Sequence, residues 1–264
     1  MKDLLLSLQS EFYKSRKTLG FWSAIILPLL ICLLVFMGFY SNADKLAKFP
    51  GMLLWMQFSG AIFNVMGALL LPMLVIFIAY SVNSIEHKAD SWKTLFSLPT
   101  SKWAVYSAKF IYALLLIALC LSLFLTFTIV LGNLLGTLKP ELHFADYHME
   151  GLLAQLYIKL FLSSLGILSI QFLLSLLWAD FLKPMGLGFV GTIAGAISAG
   201  VGWKYAYLFP YASPSLSTKS LPRPKPGTTD FTVDIFTDNI YVSLIVFTVI
   251  FIAGFYIVQK KSVK

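Results

Sequence analysis

Six stretches of the chain are long and apolar enough to cross a lipid bilayer, and they constrain the fold more than any other feature. A transmembrane helix needs about 17–25 mainly apolar residues. Hydrophobic residues make up 58% of the chain and charged residues 12%, whereas soluble domains have about 45–50% and about 25%. Because the runs are unbroken rather than alternating, they predict helices and not barrel strands. The predicted spans are residues 21–40, 52–82, 104–131, 152–178, 185–203 and 240–258.

The predicted fold class is therefore an all-α integral membrane protein with six transmembrane helices in one domain, residues 1–264. Residues 52–82 exceed one crossing but are too short for two, and Pro72 and Gly60 predict a kinked or extended span there. A polar segment with embedded aromatic residues, 84–102, follows that span. A loop rich in proline, serine and threonine, 204–239, precedes the last span and is predicted to lie on the outer side.

Residues 1–20 are predicted to form an amphipathic helix that lies in the membrane interface. Apolar side chains recur at helical spacing opposite a polar face. The apolar face contains Leu4, Leu5, Leu8 and Phe12, and the polar face contains Lys2, Ser7, Glu11 and Lys14. The apolar run that follows is as long as a full span and lacks a small-residue cleavage site, so we expect this segment to be retained rather than removed as a signal peptide.

The basic residues predict the orientation of the spans. The formal net charge is +8, and of the 20 lysines and arginines, 12 lie on the side of the N-terminus, 7 on the other side and Lys159 within the fourth span. Short cytoplasmic segments are enriched in lysine and arginine. We therefore expect both termini to be cytoplasmic in a multi-pass protein of the bacterial inner membrane, with the lipid bilayer and not nucleic acid as the partner of its basic residues.

The sequence lacks the motifs of several kinds of functional site. No glycine-rich phosphate loop of the form G-x-x-x-x-G-K-[ST] occurs, so ATP hydrolysis is not expected in this chain. The predicted spans contain no aspartate or glutamate, which counts against ion-coupled transport. Residues 141–150 carry histidines and carboxylates, but their spacing matches no metal motif and favours a solvated outer loop. We predict no catalytic, cofactor-binding or metal-binding residues.

Two features inside the spans each allow two interpretations. Lys159 is either a lysine whose long side chain reaches the outer interface or part of a transport path. The small residues of the fifth span, including Gly191 and Gly195, allow close helix packing, either within one subunit or at a subunit interface or transport path. The size of a substituted side chain should matter at both glycines, so leucine is expected to impair assembly or transport far more than alanine.

The segment 84–102 is the most informative part of the sequence. On a helix, Ala89, Trp92 and Phe96 share one face, and Pro99 ends the helix. Such a helix either rests on lipid headgroups or docks into a soluble partner. The candidate coupling residues are Glu86, Lys88, Ala89, Trp92, Lys93, Leu95, Phe96 and Pro99.

This region resembles the permeases of type 2 ABC transporters. The resemblance rests on Pro72 and on four short stretches: Ile85-Glu86-His87, Trp92-Lys93-Thr94-Leu95, Leu98 to Lys102 and Tyr106 to Lys109. Glu11-Phe12-Tyr13-Lys14 before the first span and Tyr207 to Tyr211 after the fifth agree with it. The chain is most similar to the branch of lantibiotic and bacitracin self-protection permeases.

The resemblance implies a coupling helix after span 2 and a complex of two permeases, identical or paralogous, with two ATP-binding subunits that hold ATP and Mg²⁺. The expected function is the permease of an ATP-driven exporter that moves an amphipathic peptide, antibiotic or similar small molecule. Antibiotic resistance and bacteriocin immunity would follow. The alternatives are an immunity or scaffold protein that sequesters a toxin without transport, and a membrane enzyme, for which the sequence offers no clustered acid, base or metal ligands.

Overall fold

The computed structural model describes residues 2–89, 91, 100–219 and 233–260. Over these ranges the chain forms helices without β-strands, and six helices are long and apolar enough to cross a membrane. The predicted all-α fold class with six membrane-spanning helices is thereby confirmed. The observed spans are span 1, Leu19–Ser41; span 2, Gly51–Lys88; span 3, Lys102–Leu138; span 4, Glu150–Leu177; span 5, Leu182–Gly200; and span 6, Asp238–Lys260.

Span 2 is interrupted near its middle. Its first α-helical part, Gly51–Val65, passes into a π-helical turn, Met66–Leu70, and the second part is Leu71–Lys88. Pro72 stands at the start of that second part, where its missing N–H and fixed φ are tolerated. π-Helical turns are rare and occur mostly as single turns inside α-helices. The interruption of the long predicted span thus lies at Met66–Leu70, just before Pro72, whereas Gly60 is an ordinary helical position with open space beside it.

The helix of span 2 continues beyond its predicted end at residue 82. The prediction ended there because Asn83, Ser84 and Glu86 are polar, but all three are buried on the last turns of the helix. The Asn83 side-chain amide donates to Phe172 O at 3.2 Å and to Ser175 Oγ at 2.8 Å, both on span 4. Because span 4 accepts hydrogen bonds from the Asn83 amide and Glu86 forms ion pairs, these polar residues are accommodated inside the protein and the helix extends to Lys88.

Spans 2 and 4 are the most buried of the six, and spans 1, 5 and 6 are the least buried. The exposed positions of spans 1, 5 and 6 carry large apolar side chains, such as Leu34, Val190 and Ile245. In a bilayer such faces lie against lipid or a second membrane protein.

The N-terminal helix, Lys2–Ser15, packs against span 3. Its polar face is directed into the protein, because Glu11 and Ser15 are buried while Leu5 and Phe12 are exposed. The predicted amphipathic helix is present, but Glu11 does not face water as a polar face ordinarily would. A cation on span 3 explains the difference, as described below.

The segment between spans 5 and 6 is not a simple outer loop. It contains a short helix, Ser213–Lys219, whose residues are largely buried among the spans. Ser215 Oγ donates to Gly67 O at the π-turn at 3.0 Å, and Asn239 Nδ2 donates to Ser217 Oγ at 3.0 Å. These bonds join the short helix to spans 2 and 6. Residues 220–232 of the predicted loop lie outside the described residues.

Candidate functional site

Lys109 on span 3 is the centre of a buried group of charges. It is 1% exposed, and its ammonium donates to Glu11 Oε2 at 2.9 Å, to Glu86 Oε2 at 2.5 Å and to Val82 O at 3.1 Å. Glu11 comes from the N-terminal helix, and Glu86 and Val82 come from the end of span 2. One side chain therefore ties together three separate elements.

Lys14 completes the group from the N-terminal helix. Its Nζ lies 3.0 Å from Glu11 Oε1 and 3.0 Å from Glu86 Oε1. Each carboxylate is thus bridged by both ammonium groups, and the two acids and two bases balance in charge. We call Glu11, Lys14, Glu86 and Lys109 the charge cluster.

The ammonium of Lys14 stays protonated at neutral pH. Its side chain is 30% exposed, and this partial burial alone would lower its pKa. The charges and hydrogen bonds of Glu11 and Glu86 outweigh that effect and raise the pKa above its ordinary value. Lys14 therefore carries its positive charge into the cluster throughout the physiological range.

Burial makes the charge cluster sensitive to the loss of any member. Removing charged groups from water costs several kcal/mol each, and only close, well-directed partners offset that cost. Glu11 and Glu86 are 3% and 2% exposed, so water cannot replace a missing ammonium easily. Next to the cluster the Ser15 hydroxyl donates to Tyr112, a second link between the N-terminal helix and span 3.

The charge cluster connects the two helix ends on either side of the segment between spans 2 and 3. Glu86 lies near the end of span 2 and Lys109 near the start of span 3, so these two residues flank the segment that joins the spans. A force on that segment acts first on the two helix ends that the cluster connects. Through Glu11 and Lys14 the same force reaches the N-terminal helix, which leads into span 1.

Three of the predicted coupling residues lie in the part of the chain that the structure describes. Glu86 belongs to the charge cluster, whereas Lys88 and Ala89 are exposed at the end of the helix. Beside them, His87 Nε2 lies 3.0 Å from Ser175 O. The remaining predicted residues lie outside the described residues: Trp92, Lys93, Leu95, Phe96 and Pro99.

Glu11, Lys14 and Lys109 had no predicted functional role. From sequence, Glu11 and Lys14 belong to the polar face of the N-terminal helix, and both lysines count among the basic residues that indicate orientation. A signal was nevertheless present, because all four members of the charge cluster fall in the stretches on which the family resemblance rests. Lys109 also lies among apolar residues near the start of span 3. A charge in such a position usually has a partner.

Lys159 on span 4 is 1% exposed, and its ammonium donates to the backbone oxygen of Asp234 at 2.7 Å. The segment before span 6 thus covers the ammonium. Both interpretations of Lys159, as a side chain that reaches the outer interface and as part of a transport path, stay predictions.

Gly191 and Gly195 on span 5 both face Tyr211 of the segment that follows the span. A Cβ on Gly191 would lie 3.1 Å from the Tyr211 ring, and a Cβ on Gly195 would lie 2.5 Å from the Tyr211 backbone carbonyl. The Tyr211 hydroxyl accepts a 2.6 Å hydrogen bond from Gln171 on span 4. The close approach at these glycines is therefore a contact within one subunit.

The acidic and histidine-rich segment before span 4 packs against the spans through its apolar members. Trp55 Nε1 donates to Phe144 O at 2.8 Å, and Phe144 is buried, while His143 and Asp146 form an exposed pair. Across the ranges that the structure describes, no group of three or more histidine, cysteine, aspartate or glutamate residues is placed to hold a metal ion.

Comparison with models of protein families matches residues 7–195 to the family described as ABC-2 family transporter protein. The match covers more than half of the 264 residues and includes the whole charge cluster. No curated protein and no solved structure matches the chain.

Proposed function

The chain belongs to the ABC-2 transporter family, and from this premise we propose that it is the permease subunit of an ATP-driven exporter. The observation that carries the proposal is the charge cluster, which ties the N-terminal helix to both helix ends that flank the segment between spans 2 and 3. A permease without its own ATPase needs such a connection between a docking segment and its spans.

In the proposed mechanism, ATP-binding subunits dock on residues 86–99 and move them when the subunits close on ATP. The charge cluster passes that movement to span 3 and to the N-terminal helix, so spans 1, 2 and 5 tilt around a central path. The partner can shift such a two-state equilibrium only by making different contacts in the two states. We expect two ATP-binding subunits, which hold ATP and Mg²⁺, and a second permease that is identical or paralogous.

The proposed cargo is an amphipathic peptide, an antibiotic or a similar small molecule, moved out of the membrane or cytoplasm. The mostly apolar, aromatic surfaces of the spans suit such solutes. Membership of the lantibiotic and bacitracin branch, with a role in antibiotic resistance or bacteriocin immunity, belongs to the same proposal. A toxin-sequestering scaffold would protect cells equally well with an inactive ATPase, whereas an exporter would not.

Docking on the segment between spans 2 and 3 can be tested by replacing Trp92 and Phe96 together with alanine. Truncating an aromatic anchor in an interface typically costs about 2 kcal/mol or more. Since about 1.4 kcal/mol corresponds to a tenfold change in affinity, we expect association with the ATP-binding subunit to weaken at least about tenfold. The measurement is co-purification of the reconstituted complex together with its cargo-stimulated ATP hydrolysis.

The matched control replaces Trp203 and Phe236 with alanine. Both are exposed, Trp203 just after span 5 and Phe236 just before span 6, at the span ends away from the coupling segment. This control should leave both association and stimulation unchanged. If the Trp92 and Phe96 variant also keeps both properties, the coupling segment and the proposed subunit role are wrong.

The proposed orientation, with both termini cytoplasmic, predicts which exposed positions react with a thiol reagent that cannot cross the membrane. The background replaces the two buried cysteines, Cys32 and Cys120, with alanine. Cysteine at Ser41 or Ala145 should be labelled in intact cells, and cysteine at Ala179 should be labelled only after the cells are opened. All three positions are exposed in the structure. Labelling of Ala179→Cys in intact cells would reverse the orientation.

A further inference from the structure

A groove of about 810 Å³ lies beside the charge cluster, where the N-terminal helix turns into span 1. Its volume falls within the roughly 300–1,000 Å³ of small-molecule sites. The end of span 2 forms one wall, from Phe77 to Ala89, and Phe181 before span 5 contributes to the lining. The groove is therefore at the level where the spans meet the membrane surface.

The mouth of the groove is positively charged. Lys17 and Lys88 line it and are exposed, and among the described residues neither forms an ion pair. Lys14 also lines the groove, but its charge is balanced within the cluster. Asp180 lies near Tyr80 of the lining, so in the part of the chain that the structure describes two lysines face one carboxylate and the mouth is net positive.

Away from the lysines the lining is mostly apolar. Phe77, Tyr80 and Ile85 line it from span 2, with Ser81 and Ser84 between them, and Leu19 contributes from the start of span 1. Phe77 and Lys88 lie on one helix, so they are separated along its axis by roughly 16 Å at about 1.5 Å per residue. The groove thus presents cations at the membrane surface and apolar side chains at increasing depth in the bilayer.

We propose that this groove binds one anionic phospholipid from the leaflet on the side of the N-terminal helix. The phosphate lies between Lys17 and Lys88, and the first part of an acyl chain lies along Phe77 and Tyr80. A free phosphate would use only the mouth, whereas a lipid uses both halves of the groove. Because Lys14 belongs both to the groove and to the charge cluster, the bound lipid lies directly beside the proposed coupling connection.

The test measures binding of phosphatidylglycerol, labelled with a fluorophore on its acyl chain, to the full chain purified in a neutral detergent. We expect saturable binding that unlabelled phosphatidylglycerol displaces. Phosphatidylcholine should compete at least about tenfold less well, and millimolar inorganic phosphate should not displace the lipid. Lys17→Gln with Lys88→Gln should weaken binding at least about tenfold, since each lysine near an anionic headgroup contributes several-fold to affinity.

Two further variants separate recognition from general effects. Lys17→Arg with Lys88→Arg should keep the wild-type affinity, because the charges remain. Lys45→Gln with Lys48→Gln removes two exposed charges at the other end of span 1 and should also change nothing. The lipid site is wrong if the Lys17 and Lys88 glutamine variant binds like wild type, if the Lys45 and Lys48 control loses as much affinity, or if phosphatidylcholine or inorganic phosphate competes as well as phosphatidylglycerol.

Discussion

Replacing Lys109 with methionine is expected to destabilise the protein by about 3–5 kcal/mol, the usual range when one partner of a buried ion pair is removed. The substitution leaves Glu11 and Glu86 buried with Lys14 as their remaining partner in the cluster. Methionine keeps much of the length of the lysine side chain, so the loss reports mainly on charge and hydrogen bonding. Unfolding of the purified chain in detergent, followed by tryptophan fluorescence, measures the change.

Two comparisons make this experiment specific to the charge cluster. Lys45→Met removes an exposed lysine and should change the free energy of unfolding by no more than about 0.5 kcal/mol. Glu86→Gln in the Lys109→Met background should recover part of the loss, because it removes the one negative charge that the substitution leaves in excess. A Lys109→Met protein as stable as the Lys45→Met control would show that the cluster does not hold the three elements together.

The apolar length of the spans made the fold predictable from sequence, because about 20 residues of hydrocarbon-facing helix leave few alternatives. The charge cluster was not predictable in the same way. Glu11 and Lys109 are far apart in the chain, and a lysine near the end of an apolar run ordinarily reports orientation. The packing of the N-terminal helix and of the end of span 2 against span 3 turns that lysine into a structural partner of two carboxylates.

The short helix Ser213–Lys219 gives a second example of tertiary structure overriding local composition. Its serine, threonine and proline content predicts a loop, since these side chains compete with helical hydrogen bonds. In the structure the same hydroxyl groups bond to neighbouring spans, as Ser215 does to Gly67 O. The hydrogen bond of Lys159 was not predictable for a related reason, because its partner Asp234 lies in this same connection between spans 5 and 6.

Gly195→Ala is expected to impair the protein severely, although the sequence alone predicted only that leucine would impair it far more than alanine. The added methyl group would lie 2.5 Å from Tyr211 C and O and 2.7 Å from Ala212 N, so it meets backbone rather than a movable side chain. That backbone cannot shift freely, because Ala212 is fully buried and the Tyr211 hydroxyl is bonded to Gln171. Overpacking of this kind typically costs about 1–3 kcal/mol, and leucine should cost more.

The same helix supplies graded controls for Gly195. Gly186→Ala has open space around its Cβ position and should be neutral or stabilising by up to about 1 kcal/mol, since alanine favours helix. Gly191→Ala should fall between the two, because the Tyr211 ring at 3.1 Å can move by a few tenths of an ångström. Thermal unfolding of the three alanine variants in detergent gives the order directly. If Gly195→Ala unfolds at the same temperature as Gly186→Ala, span 5 does not pack against Tyr211 as closely as the structure places it.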